Sequence, residues 1–227
     1  MNNYLLNKDH QYKSRKAGFR QSRKDATQVK PNIYSVAGNI IYSHFLKQNT
    51  MNFEEGFLKD ILKRFQSYKD LGDKTFAQLD DKDFFYQPST ESNSIAIIVH
   101  HMYGNMMSRF TNFLTEDGEK SWRQRDEEFE QVNITKQDLI TWWNAGWERL
   151  LDTLKNLQPG DLTKTTPIRN EPMPAYDALL RALAHLAYHV GQIVYLGKAI
   201  KDAQWKTLSI PKRQSQQFNE KMAQQKK

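Results

Sequence analysis

Residues 174–200, PAYDALLRALAHLAYHVGQIVYLGKAI, decide how the chain is read. The run is apolar nearly all round, which marks it as the most buried helix of a helical protein. It carries His185-Leu-Ala-Tyr-His189, two imidazoles four residues apart and therefore on one helix face. Imidazoles at that spacing can share a divalent cation. Leu186 stands where the zinc-protease pattern has its Glu, so the motif brings no carboxylate base of its own. Ala178, Ala182 and Gln192 share the face, with Arg181 slightly to one side. The alanines leave room for a ligand, and Arg181 and Gln192 bracket the histidines. A buried Arg181 needs an internal acid or a ligand. The competing reading is coincidence, with one histidine bonded to a neighbour or at the surface. The apolar setting favours the metal, because burying two unpaired imidazoles side by side costs stability.

Three further segments have the helical period. The first runs from about Asn52 to Leu79, with Phe57, Ile61, Phe65, Tyr68 and Phe76 on its stripe and a Gly72 that weakens its last turns. The second, about Ser94 to Leu114, carries Ile95, Ile98, Val99, Met102, Met106 and Phe110 behind the N-cap candidates Asn93 and Ser94. The third starts at Thr135, which with Asp138 forms a capping box; Leu139, Trp143, Trp147, Leu150 and Leu154 follow until Pro159-Gly160. Four such helices around one core predict an all-α four-helix bundle over residues 51–212. Residues 115–134 and 158–173 are long for connections between packed helices, and such loops carry function or cross over the fold. Residues 213–227 form a polar tail, a loose helix or disordered. In the second segment His100 or His101 can reach the pair; His101 lies nearer the apolar stripe, and Asn105 shares its face one turn on.

The chain of 227 residues contains no Cys, which excludes disulfides, Cys-ligated zinc, iron–sulfur clusters and cysteine nucleophiles. No apolar run is long enough for a transmembrane helix, so a cytoplasmic, non-membrane protein is expected. The net charge of +7 resides wholly in residues 1–50, with nine Lys/Arg against two Asp/Glu; the remainder balances at 24 each. The basic segment is a disordered extension, an over-extended start with translation really beginning at Met51, or a targeting or nucleic-acid arm. Beyond it, nothing in the charge balance seeks phosphate, and a nucleic-acid partner is not expected.

The run Ser94-Ile-Ala-Ile-Ile-Val-His-His101 with Gly104-Asn105, followed by His185-Leu-Ala-Tyr-His189-Val-Gly191-Gln192-Ile193, resembles the DinB/YfiT-like superfamily. Thr115-Glu-Asp-Gly118, Trp122-Arg-Gln-Arg-Asp-Glu-Glu-Phe129 and Leu208-Ser-Ile-Pro211 point to one of its bacterial subfamilies without an assigned activity. The likeness covers roughly residues 52–220. It implies a four-helix bundle with a crossover connection and a divalent metal, zinc or nickel, held by three histidines. By position these are His101, His185 and His189, which leaves His100 behind the ligands or at the surface. Several relatives are transferases or isomerases that use low-molecular-weight thiols, although reaction does not follow from fold.

Three neutral imidazoles leave a coordination position for water or substrate, as in catalytic zinc sites. The metal could bring the pKa of a bound water or thiol toward neutrality. The leading expectation is a metal-dependent thiol transferase acting on a small molecule. A metal-dependent hydrolase, a non-catalytic metal-binding or stress-response module, and a structural bundle with core histidines are the alternatives. Arg181, Asn105, Gln192 and Arg125 are the candidate substrate-binding residues, with Arg109, Trp122, Arg123 and Asp126 also considered for orientation. The plainer reading makes Arg123 to Glu128 a solvated loop that Trp122 and Phe129 pin down, and makes Trp142, Trp143 and Trp147 core and rim residues. The remaining aromatics could serve a homodimer face, but no stripe demands one.

Overall fold

The computed structural model describes residues 52–131 and 133–225; the basic N-terminal segment read above lies outside the described residues. Four long helices dominate: α1 (Phe53–Phe76), α2 (Ile95–Phe110), α3 (Lys136–Asn156) and α4 (Ala175–Lys201). A short two-stranded antiparallel sheet, β1 (Thr165–Ile168) and β2 (Glu171–Pro174), precedes α4, and an exposed helix α5 (Ser215–Gln224) follows it. The polar tail therefore holds a helix in its last part, with no buried residue.

The helix starts follow from side-chain capping of free amides. Asn52 accepts from the Glu55 amide and Ser94 from that of Ile97, and Thr135 and Asp138 cap reciprocally. The main packing pairs form a ring: α1 against α3 and α4, and α2 against α3 and α4. Inside it lie Phe65, Trp143, Trp147, Met102, Met106, Leu150 and Leu186, all under 2% exposed.

Three sequence expectations change. Gly72 does not end α1, which continues through it to Phe76. A Cβ there would run into the Trp143 indole, so the glycine is what lets that ring close on α1 and donate to Asp73 Oδ1 at 2.7 Å. The most buried helix is not α4 but α2: ten of 16 residues are buried in α2 and nine of 27 in α4. On α4, Leu180, Tyr188 and Tyr195 stand exposed among the described residues.

The third change is the hairpin, which fills the end of the 158–173 connection and runs on to Pro174. Its prolines at 167, 172 and 174 hide the strands from any propensity argument. Its turn residues Arg169 and Asn170 have φ of 57° and 61°, the left-handed region a two-residue hairpin needs, without a glycine. The Asp117 carboxylate accepts from both of their amides, at 2.9 and 2.7 Å, which offsets the strain. The Gly118 amide donates to the Pro167 carbonyl (2.9 Å) and the Thr166 hydroxyl to that of Phe113. The two long loops are thus tied together at one end of α2 and α4.

Candidate metal centre

The side chains of His101, on α2, and of His185 and His189, on α4, converge. Helical spacing puts the α4 pair on one face, and packing of α2 on α4 brings the third ring to them. His185 Nε2 lies 3.2 Å from His101 Nε2 and 3.1 Å from His189 Nε2. A tetrahedral cation with bonds of about 2.0–2.1 Å sets its nitrogens about 3.3 Å apart, so the spacing fits one ion.

The hydrogen bonds behind the rings sharpen this. His101 Nδ1 is 2.9 Å from Glu128 Oε2, an obligate acceptor, so Nδ1 carries the proton and Nε2 turns a lone pair inward. His189 Nδ1 meets Gln192 Oε1 at 2.9 Å, with the same consequence. Two lone pairs therefore face His185 Nε2, which has at most one proton to offer. Protonating the two rings on α4 is disfavoured. Burial and then the neighbouring His189 and His101 push His185 down to about 3; burial and then His101 push His189 down to about 4, against a raising effect from Gln192. A divalent cation satisfies all three nitrogens at once.

Glu128 is the residue that sequence reading missed. It lies on the turn Asp126–Phe129, which packs on α2, and its side chain is 5% exposed. Arg123, 2% exposed, grips it through Nε and Nη2 at 2.7 and 2.8 Å and reaches Ser108 Oγ at 3.2 Å. Burial works to raise the Glu128 carboxyl, but the bonds from Arg123 and His101 outweigh it and hold it below the usual range. The loop is therefore not a solvated run at these two positions. Gly104 makes this possible: a Cβ there would collide with Glu128 Oε1. The Gly104 next to Asn105 was the one sequence signal, a gap one helical turn from His101. Carboxylates placed behind ligating histidines fix ring orientation and raise ligand basicity.

His100 turns away from the cluster and stacks on Trp142, with ring centroids 4.7 Å apart. Phe129 lies against the His101 ring at 4.6 Å, while Trp122 stays exposed. Trp143 and Trp147 are core, and Trp142 is half-buried.

A cavity of about 240 Å³ opens beside His101 and His185 and takes in Asn105, Arg125 and Arg181. Gln192 instead holds His189 from behind. Arg181 is not a buried cation: it is exposed, because α4 presents that side to the cavity mouth. Besides Arg123, Arg109 is largely buried at 12% exposure, with Nη2 3.3 Å from Glu119 Oε2 and Nη1 without a hydrogen-bond partner among the described residues. Burial lowers it to about 10, so it remains charged at neutral pH.

The molecule thus falls in a class defined by fold and site together: a mostly helical protein with a small hairpin and a buried three-histidine cluster fit for a cation. The chain belongs to the family described as "Protein of unknown function (DUF1572)", whose model matches residues 52–214. No curated protein matches it.

Proposed function

We propose that this is a DinB/YfiT-like four-helix bundle with a crossover connection that holds zinc or nickel and transfers or rearranges a low-molecular-weight thiol. The observation that carries the metal reading is the inward convergence of three Nε2 atoms, with two of the rings fixed in that tautomer by Glu128 and Gln192. The ring of helix pairs supports the bundle, since α1 and α2, consecutive in the chain, are not among its main neighbours.

His101, His185 and His189 are the ligands, and Glu128, held by Arg123, orients His101. When bound, the cation supplies Lewis acidity that favours the thiolate form of an incoming thiol. The thiol must come from outside, since the protein has no cysteine. The cavity admits it on the side of His101 and His185, and Asn105 lies one turn from His101 to orient it. Ligation by only three residues leaves the open position that catalysis needs, whereas structural sites are closed by four.

Elemental analysis of the untagged full chain tests the centre, beside a variant carrying His101→Ala, His185→Ala and His189→Ala. About one zinc or nickel per chain is expected, lost in the variant and kept in His100→Ala. No metal in the folded, reloaded wild-type protein would make the histidines core residues. A loaded protein that leaves every small thiol unreacted with electrophiles would remove the transferase part.

A further inference from the structure

The apolar composition of α4 hides a seam that burial reveals. Asp177, Leu180, Ala184, Tyr188, Gly191, Tyr195 and Lys198 follow one another at steps of three and four, and each is exposed among the described residues. At about 100° per residue they fall in a sector about 80° wide. Leu186 and Ile193, fully buried, lie on the opposite side of the helix. A Cβ on Gly191 would meet nothing within 4 Å. The seam thus has two protruding tyrosines, a low stretch of small residues between and beside them, and one charge of each sign at its two ends. Aromatic side chains in a contiguous exposed strip mark an interaction surface.

The seam is complementary to itself read backwards. With a twofold axis between Ala187 and Tyr188, two antiparallel copies of α4 set Asp177 against Lys198, Leu180 against Tyr195, and Ala184 against Gly191, while the Tyr188 ring covers the half-buried Ala187. Opposite charges meet at both ends, a large side chain meets an aliphatic one, and small meets small, which lets the helices approach closely. Other arrangements lose this. Parallel packing sets Asp177 on Asp177 and Lys198 on Lys198. An antiparallel slip of one turn sets Lys198 on Arg181 in one direction and leaves both end charges unmatched in the other. Beside Leu180, at the start of α1, a groove is walled by Phe53, Phe57 and Leu183. Phe53 is 80% exposed there. The Tyr195 of a second copy, opposite Leu180, is the side chain placed to reach it.

We infer that the outward face of α4 is a docking surface for a second copy of this chain, paired antiparallel through the seam from Asp177 to Lys198. The charge pattern names the occupant, because each end of the seam matches the other end of an identical helix. From Asp177 to Lys198 the strip is about 32 Å long and about 10 Å wide. That is short of the roughly 800 Å² a side of a standard interface, so the dimer is reversible, with a population that depends on concentration. The seam contains none of the three histidines, and the inference is independent of the metal.

Sedimentation equilibrium of the full chain tests it, at loading concentrations from about 2 to about 200 µM, a range that brackets a weak dimer. A reversible monomer–dimer equilibrium is expected. Ala184→Arg, at an exposed position, should leave the protein folded by circular dichroism and monomeric throughout. Asp177→Lys and Lys198→Asp each turn two symmetry-related ion pairs into like-charge pairs and should raise the dimer Kd about tenfold. The double variant, with the charges exchanged, should return it to near the wild-type value. The register is read by disulfide formation, since the chain has no cysteine of its own. Chains carrying Ala184→Cys should cross-link to chains carrying Gly191→Cys in a mixture under mild oxidation, and neither should cross-link to itself. In the antiparallel register like positions are offset by about 10 Å along the axis, beyond the Cα separation of about 7 Å that a disulfide spans. A full chain that stays monomeric at every concentration overturns the inference, whether the seam is then bare or covered by residues 1–50. So does a dimer that survives Ala184→Arg, or one in which Ala184→Cys links only to itself.

Discussion

Glu128→Gln removes one charge and almost no volume, and two different losses follow from its position. The carboxylate receives three charge-assisted contacts, from His101 Nδ1 at 2.9 Å and from Arg123 Nε and Nη2 at 2.7 and 2.8 Å, at 5% exposure. The amide that replaces it can keep at its oxygen the two contacts made at Oε2, from His101 Nδ1 and Arg123 Nη2, but then presents its own NH2 to Arg123 Nε. Arg123, 2% exposed, is left a buried cation with no compensating charge. Breaking such a pair on one side costs about 3–5 kcal/mol. For a domain of about 150–250 residues, 1 kcal/mol moves Tm by about 2–4 °C, so the metal-free protein should melt roughly 6–20 °C lower. Separately, loss of the carboxylate behind a ligating histidine lowers metal affinity about 10–100-fold. Differential scanning calorimetry of the metal-free protein reads the first loss, and competition for zinc against a chromophoric chelator reads the second. A partner variant separates them. Arg123→Met with Glu128→Gln removes the stranded cation, so Tm should recover substantially while zinc affinity stays low. If Glu128→Gln alone changes neither Tm nor zinc affinity, the buried triad of Arg123, Glu128 and His101 does not support the site.

Gly104→Ala should also weaken zinc binding, because its methyl would displace Glu128 from His101, whereas Gly191→Ala meets nothing within 4 Å and should raise Tm by about 2–4 °C through helix propensity of about 1 kcal/mol. Metal retention should reach low pH: with His185 and His189 depressed to about 3 and about 4, protons do not compete for those rings near pH 6.5, and zinc should leave only as the pH approaches 4, read by dialysis and elemental analysis. The same depression sets the sign for metal-free stability. Below pH 6.5 the unfolded histidines bind protons that the folded ones refuse, so Tm should fall as the pH drops from 6.5 toward 4 and hold level on that account above 6.5. Asp117→Ala removes the acceptor for the Arg169 and Asn170 amides; it should speed hydrogen exchange at the hairpin while leaving exchange in α2 unchanged.

What could be read in advance was what repeats or what lies close in the chain. The stripe of Leu139, Trp143, Trp147, Leu150 and Leu154 places α3, and the Thr135–Asp138 box its start. His185 and His189 share a face by helix geometry alone, and the wheel position of His101 points it the same way as the core. Glu128 escaped, and with it the role of Arg123 behind the ligand, because no period binds them. They sit in a loop dense in charges, and which of its acids turns inward is decided by contacts with α2 at Gly104 and His101. The hairpin escaped for a related reason. Its turn is stabilised by Asp117, more than fifty residues away in sequence, and not by a glycine in the turn itself. The burial of α4 was overstated because apolar composition measures what a helix could cover, while exposure depends on which neighbours the topology supplies. Leu180, Tyr188 and Tyr195 are apolar or aromatic, yet they stay 44%, 62% and 73% exposed among the described residues.

Charge shows the same separation between composition and place. From residue 51 onward the chain is neutral, with 24 basic and 24 acidic side chains, and a whole-chain argument finds no pull on anions. Yet five arginines line one cavity, and among the described residues only Glu119 and Glu128 meet them closely. Neutrality overall is compatible with a strongly positive pocket, because a long-range field sums over the surface, whereas a ligand in a partly desolvated cavity feels the few charges within a Debye length. The segregation has a structural origin. Arg109 is carried by α2, Arg123 and Arg125 by the loop that supports the histidines, Arg169 by the hairpin turn and Arg181 by α4. The contacts of α2 with α4, and of the two long loops with each other, therefore gather these arginines around the cavity that also borders the histidines.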